Sequence, residues 1–306
     1  MKKKSFIVIL FYLILVFSCF SETSFSFGGS FGASFEKNGE YVYSYSGKGV
    51  VSYLDWQCLP LYKIGLISDV SFDNFKIKTG FTYGLPIKCG KMYDSDWGTH
   101  GVKNTYSISN NYAIQNFDFN FSLSYRINIW KLFLIPELSF DYYYDSFQSG
   151  DGEGWYGSET YSKTGEEVSW DSPNARHYSK ISRIDLKRNS FFIFFGIGAI
   201  IPLNNKFEIG LGTFISPYSY FYNSDYHYDD NGTNRDFYLN SVQKAYFTRF
   251  KEIICLEYKP TQLLCIDLET SFIFGGIEKG LLEGYEQYAG TDVLKINIKL
   301  STKMKF

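Results

Sequence analysis

The chain closes on VLKINIKLSTKMKF, in which Ile296, Ile298, Leu300, Thr302, Met304 and Phe306 alternate with Lys295, Asn297, Lys299, Ser301, Lys303 and Lys305. Successive residues of a strand point to opposite faces, so this segment predicts a strand with one apolar and one lysine-rich side. Such a strand suits lipid outside and water inside, and equally a soluble sandwich with its polar face outward. Upstream, apolar and aromatic runs come in pairs joined by very short polar turns, Ser71–Asn74, Asn128–Lys131, Pro202–Asn205 and Lys259–Gln262. Between the pairs lie longer stretches rich in Gly, Ser, Asn, Asp and Tyr, around Ser46 and over 94–111, 146–180, 223–240 and 277–288. Short turns at one end and long loops at the other are the asymmetry of an outer-membrane barrel. The runs predict an all-β fold, a ten-stranded antiparallel transmembrane β-barrel with strands over 25–45, 48–71, 74–94, 111–129, 132–147, 180–201, 206–224, 237–258, 262–277 and 289–306. Several runs approach 20 residues, whereas a tilted membrane strand needs about 9–11, so the barrel should extend above the membrane.

The terminal Phe306 strengthens the membrane alternative, because it resembles the aromatic residue on which bacterial outer-membrane barrels commonly close. At the other end, MKKKSFIVILFYLILVFSCFSE has three lysines, a short apolar run and then small and polar residues. That layout predicts a signal peptide over residues 1–21, with residues 22–306 as one barrel domain. Val16-Phe17-Ser18-Cys19 is a loose form of a lipoprotein signal, which leaves acylation of Cys19 as an alternative. Without the leader, 27 basic stand against 32 acidic residues, a net of about −5, and no basic footprint for nucleic acid remains. Aromatic residues make up 20% of the chain, yet no later stretch has the roughly 20 apolar residues of a membrane helix. The chain is read as a monomer.

Four cysteines follow the leader, and an exported chain permits disulfides. Cys58 and Cys89 stand 15 residues before Asp73 and 15 after Asn74, and Cys255 and Cys265 lie five residues to either side of Pro260. The symmetry predicts two cross-strand pairs, as disulfides or as facing thiols.

Two acidic motifs fall where strands reach the long-loop end. GKMYDSDW carries Asp94 and Asp96, and SDYHY carries Asp225 and His227. Each pair is spaced i, i+2 and so projects to one face of a strand. A histidine beside a carboxylate suits a general base: Asp225 orients the ring, and the imidazole takes a proton from water. Asp-x-Asp in a loop is more often turn chemistry, and three carboxylates with one histidine at this spacing match no defined metal site.

Together, SYLDWQ (Ser52–Gln57), GKMYDSDW (Gly90–Trp97), NFDFNF (Asn116–Phe121) and SDYHY (Ser224–Tyr228) resemble the omptin family of outer-membrane endopeptidases. The resemblance runs from about residue 25 to the C-terminus. It implies an aspartate pair and an Asp-His dyad facing each other across an extracellular groove. Asp94 and Asp96 would then polarise the nucleophilic water, His227 would act as base, and Asp225 would support it. It also implies peptide or protein substrates cut near basic residues held by acidic side chains, here Glu40 in GEYVY and, at the second position, the uncharged Asn223. The histidine usual after the aspartate pair is missing; Ser107 and Ser109 remain, while His100 and His177 read as solvated loop residues. No cofactor is implied except outer-membrane lipid: a lipopolysaccharide requirement would use basic side chains on the barrel exterior, with Lys131, Lys187 and Arg188 as loose candidates. The alternative is a non-catalytic adhesin or host-protein receptor, suggested by the aromatic loop over 146–180 with Trp155, Tyr156, Tyr161 and Trp170. A small porin is a weaker third reading, since about ten strands leave a lumen largely filled by side chains.

Overall fold

A computed structural model describes residues 23–98, 100–157, 165, 167–228 and 235–306. The predicted leader over 1–21, with Cys19, lies outside the described residues, as does Tyr161. Ten antiparallel strands close into a ring. In chain order they are β1 (Thr23–Tyr43), β2 (Val50–Phe72), β3 (Phe75–Gly84 and Lys88–Trp97), β4 (Lys103–Tyr125, extended by Ile127–Ile129) and β5 (Leu132–Tyr156). They continue with β6 (Ile184–Pro202), β7 (Phe207–Tyr228), β8 (Arg235–Ala245 and Arg249–Tyr258), β9 (Leu264–Gly275 and Glu278–Leu282) and β10 (Tyr288–Lys305). Each pairs with its chain neighbour, and β1 closes on β10 from Ser26↔Lys305 to Val42↔Ala289. A short strand, Arg176–Tyr178, caps β5 at the rim.

The short turns fall close to where the sequence places them, the last one running longer. Phe72 pairs with Phe75 around Asp73-Asn74, and Asp73 takes φ +50°, a left-handed conformation that Asp tolerates better than most residues. The predicted sides of β10 also appear: Ile298, Leu300 and Met304 are exposed outward, while Lys295 and Lys303 are buried in the lumen. The same division holds around the ring, with Phe31, Leu66, Phe81, Phe195 and Leu268 outside. Lysines fill the inside as ion pairs: Lys63 with Glu36 and Asp118, Lys251 with Asp141, Lys303 with Asp69 and Asp267. A buried charge is tolerated only when paired, so this network both fills the lumen and fixes which face of each strand turns inward.

The strands run further at the loop end than the sequence pattern predicts. β4 begins at Lys103 and β5 continues to Tyr156, so most of the expected loop over 94–111 is sheet. At about 3.3 Å per residue, β2 is more than twice the length that about 9–11 membrane residues require. The excess forms a wall above the apolar band, and prolines mark the transition. β2 is displaced by one residue at Leu59-Pro60, β3 breaks around Pro86, and β7 has a bulge at Pro217. Proline donates no ladder hydrogen bond and is therefore tolerated at such bulges.

The cysteine expectation divides. Cys58 and Cys89 do meet, as buried thiols with sulfurs 3.3 Å apart. Cys255 and Cys265 do not, because the turn is longer than the assumed one: Cys255 lies opposite Glu269. The Cys265 thiol instead donates to Asp267 at 3.1 Å.

Candidate active site

The bulge at Pro217 determines where β7 aims its side chains. Below it, Phe214 and Ser216 are buried inside while Leu211 is exposed. Above it, Ser219, Phe221, Asn223 and Asp225 are buried, and so is Ser224. One extra residue has moved the inward face from even to odd positions, as a one-residue change of register must. Asp225 and His227 turn into the lumen for that reason. On β3, Met92 is fully buried and Asp94 and Asp96 share its side. Asp94 lies between Leu54 of β2 and Ser107 of β4, and Asp96 between Ser52 and Thr105.

The two walls enclose one cavity of about 410 Å³ at the rim. Asp94, Asp96, Asp225, His227, Glu40 and Asn223 all line it, with Ser52, Thr105 and Ser107 beside the aspartate pair. His227 Nε2 lies 2.8 Å from Asp225 Oδ2. Glu40 accepts a hydrogen bond from Trp56 Nε1 at 3.0 Å. The buried Oδ1 of Asp225 has no hydrogen-bond partner among the described residues.

Electrostatics bind these groups together. Burial and the adjacent Asp96 carboxylate push Asp94 well above the usual carboxylate range. Burial also raises Asp96, against the Ser52 hydroxyl and the charge of His227. Burial and a neighbouring like charge both disfavour ionising the two carboxylates together. Burial alone would depress His227, but the Asp225 carboxylate outweighs it, helped by Asp94 on the facing wall, and the imidazole is raised above its ordinary value. Glu40 is pushed up to about 7 by burial and by Asp225, with Arg188 opposing.

Several basic and rim residues stand elsewhere than the sequence reading puts them. Arg188 is not on the exterior: it is fully buried in the lumen. Lys131 is exposed at the short-turn end, away from the rim, whereas Lys187 faces outward near the loops, its amine over the Tyr226 ring. His177 is more than solvated, stacking on Trp155 and lying 3.1 Å from Glu153. His100 is exposed, and its backbone N–H donates to Glu167. Trp155, Trp170 and Tyr106 form an aromatic cluster with the Lys103 amine over two of the rings. The sequence reading passes over the inward role of Arg188, although the alternation Ile184, Leu186, Arg188, Ser190, all buried, carries the signal.

No protein-family model matches the chain, and no curated protein matches it. Solved structures do. The fold is similar to the outer-membrane protease OmpT from Escherichia coli, with 17% identity over 94% of this chain and 98% of that one and a TM-score of 0.76. It is also similar to the outer-membrane protein OprG from Pseudomonas aeruginosa, at 9% identity over 92% and 95% of the chains and a TM-score of 0.35. Ail of Yersinia pestis matches at 11% identity over 92% and 98%, with a TM-score of 0.29. The first likeness establishes an omptin-like barrel fold.

Proposed function

We propose that the chain is an outer-membrane surface endopeptidase whose site faces the cell exterior and whose nucleophile is water. One observation carries the reading: two carboxylates on β3 and an Asp-His pair on β7, far apart in sequence, line a single rim cavity and act electrostatically on one another. Water held by Asp94 and Asp96 attacks the scissile carbonyl carbon as His227 removes its proton. Asp225 steadies the imidazolium, which then returns the proton to the departing amine as the C–N bond breaks. The products are a carboxylate and a free amine, with no covalent enzyme intermediate. The site lies at the end opposite the short turns, the arrangement that supports an outward orientation. The OmpT likeness supports hydrolysis as the chemistry of this scaffold.

Cleavage of a proteome-derived peptide library by refolded protein in detergent, with and without lipopolysaccharide, tests the reading. In water enriched with heavy oxygen the label enters the new C-terminal carboxylate. No cleavage under either condition refutes it. The second reading, a surface barrel that binds host protein without cutting it, is favoured by the aromatic cluster around Trp155 and Trp170. Binding that survives His227→Ala, in a protein that never cleaves, would support that reading instead.

A further inference from the structure

Directly below the cavity, one guanidinium spans the lumen. Arg188 of β6 stands opposite Asn223 of β7. Its Nε donates to Asn223 Oδ1 at 2.6 Å, one terminal nitrogen donates to Asn38 Oδ1 at 3.0 Å and the Asp292 carbonyl at 3.4 Å, and the other donates to the Gly39 carbonyl at 3.1 Å. All these acceptors are neutral. Among the described residues, no carboxylate lies within ion-pair distance of Arg188, whereas the Arg249 guanidinium lies 3.3 Å from Glu278. A guanidinium cannot be deprotonated in a protein, so the floor carries a fixed positive charge without a contact counter-ion.

Asn223 stands between that charge and the cavity. Its oxygen is held by Arg188, while its amide nitrogen donates to Thr291 at 2.6 Å and Gln243 at 2.9 Å. It lies two residues below Asp225 and four below His227, about 13 Å down the strand from the imidazole. Asn223, Asp225 and His227 line the same cavity, so a substrate side chain reaching down from the reacting bond would point toward that amide. The walls there include Leu239, Leu282 and Ala289, and the guanidinium feels Glu40 most, then Asp145, Asp292 and Glu36, none of them within ion-pair distance. Glu40 itself feels the Arg188 charge and, pushed up to about 7, is only partly ionised near neutral pH.

We propose that this floor receives an uncharged substrate side chain, one with an apolar stem and an amide, hydroxyl or methyl end, and that Arg188 excludes arginine and lysine. A second cation at Asn223 would stand one amide away from the buried guanidinium, whose like charge repels it. An acidic side chain would meet Glu40 and Asp225. The cleavage arm of the test rests on the endopeptidase reading; the binding arm does not.

Peptides identical except for Gln, Leu, Arg, Lys or Glu at each position in turn serve as probes. Cleavage is followed with the wild-type protein, and fluorescence anisotropy measures binding to Asp225→Asn, both in detergent micelles. At one position the Gln and Leu peptides are expected to be cut, and to bind, at least tenfold better than the other three. In Arg188→Gln/Asn223→Asp the order is expected to reverse in favour of Arg. An Arg, Lys or Glu preference in the wild-type site, an order unchanged in the double variant, or no binding of any peptide overturns the proposal. Ranked binding without any cleavage keeps it and removes the endopeptidase reading instead.

Discussion

Asp225→Asn removes the charge from one partner of the dyad and leaves its shape. The pair is little screened, with 9% of the Asp225 side chain and 21% of the His227 side chain exposed. A carboxylate at hydrogen-bond distance moves a partner's pKa by about 1–3 units, each worth about 1.4 kcal/mol. Because burial opposes the raise, the variant should lower the His227 pKa, to its ordinary value or below it. The folded pKa exceeds the unfolded one of about 6.5, so the stabilisation is complete below pH 6.5 and is lost as pH rises through the raised value. Asp225→Asn should therefore cost about 1.5–3 kcal/mol at pH 5.5, the worth of a hydrogen bond to a charged group, and clearly less at pH 9. The chain has only 3 histidines, so NMR titration of the imidazole protons, assigned with His100→Gln and His177→Gln, follows His227 directly. Urea unfolding at the two pH values supplies the energies. An unchanged or higher His227 pKa in the variant would refute the proposed pairing.

Three further outcomes follow from the geometry. Deleting Pro217 removes the residue that turns Asp225 and His227 inward, and should reduce cleavage at least about 100-fold while heat-modifiable electrophoretic mobility shows that the barrel still assembles. Glu40→Gln should abolish a loss of stability that the wild-type protein shows as pH rises from 4.5 to about 7, the window in which its folded state holds the extra proton; Glu40 is partly open to the cavity, so about 1–2 kcal/mol by urea unfolding is expected after allowance for screening. Lys63→Met leaves Glu36 and Asp118 without that amine, at 3.0 and 2.8 Å in the wild type, and should cost about 3–5 kcal/mol in vesicle unfolding.

The fold was legible where one physical rule governs a whole strand. The lysines of β10 had to face water and its isoleucines lipid, and short polar turns left little choice of partner. The dyad was legible because i, i+2 spacing survives any rotation of the strand. Its inward direction was not, since it depends on the bulge at Pro217, which shifts the parity by one residue without disturbing the composition. Arg188 was misplaced outside for a related reason: a cation beside Lys187 reads as surface, and only the closed ring brings Asn38, Gly39 and Asn223 around it. The longer turn after Pro260 likewise moved Cys265 away from Cys255, a displacement that symmetric counting cannot detect.

The central claim is that Asp94 and His227, on facing walls, serve one water molecule. A double-mutant cycle of Asp94→Asn and His227→Ala, read as kcat/KM on one quenched peptide, tests it most directly. Groups acting as a unit are non-additive: each single change should cost about 10³-fold or more, and the pair little beyond the larger single loss. Multiplicative losses, or a His227→Ala protein that still cuts at the wild-type rate, would contradict a shared water.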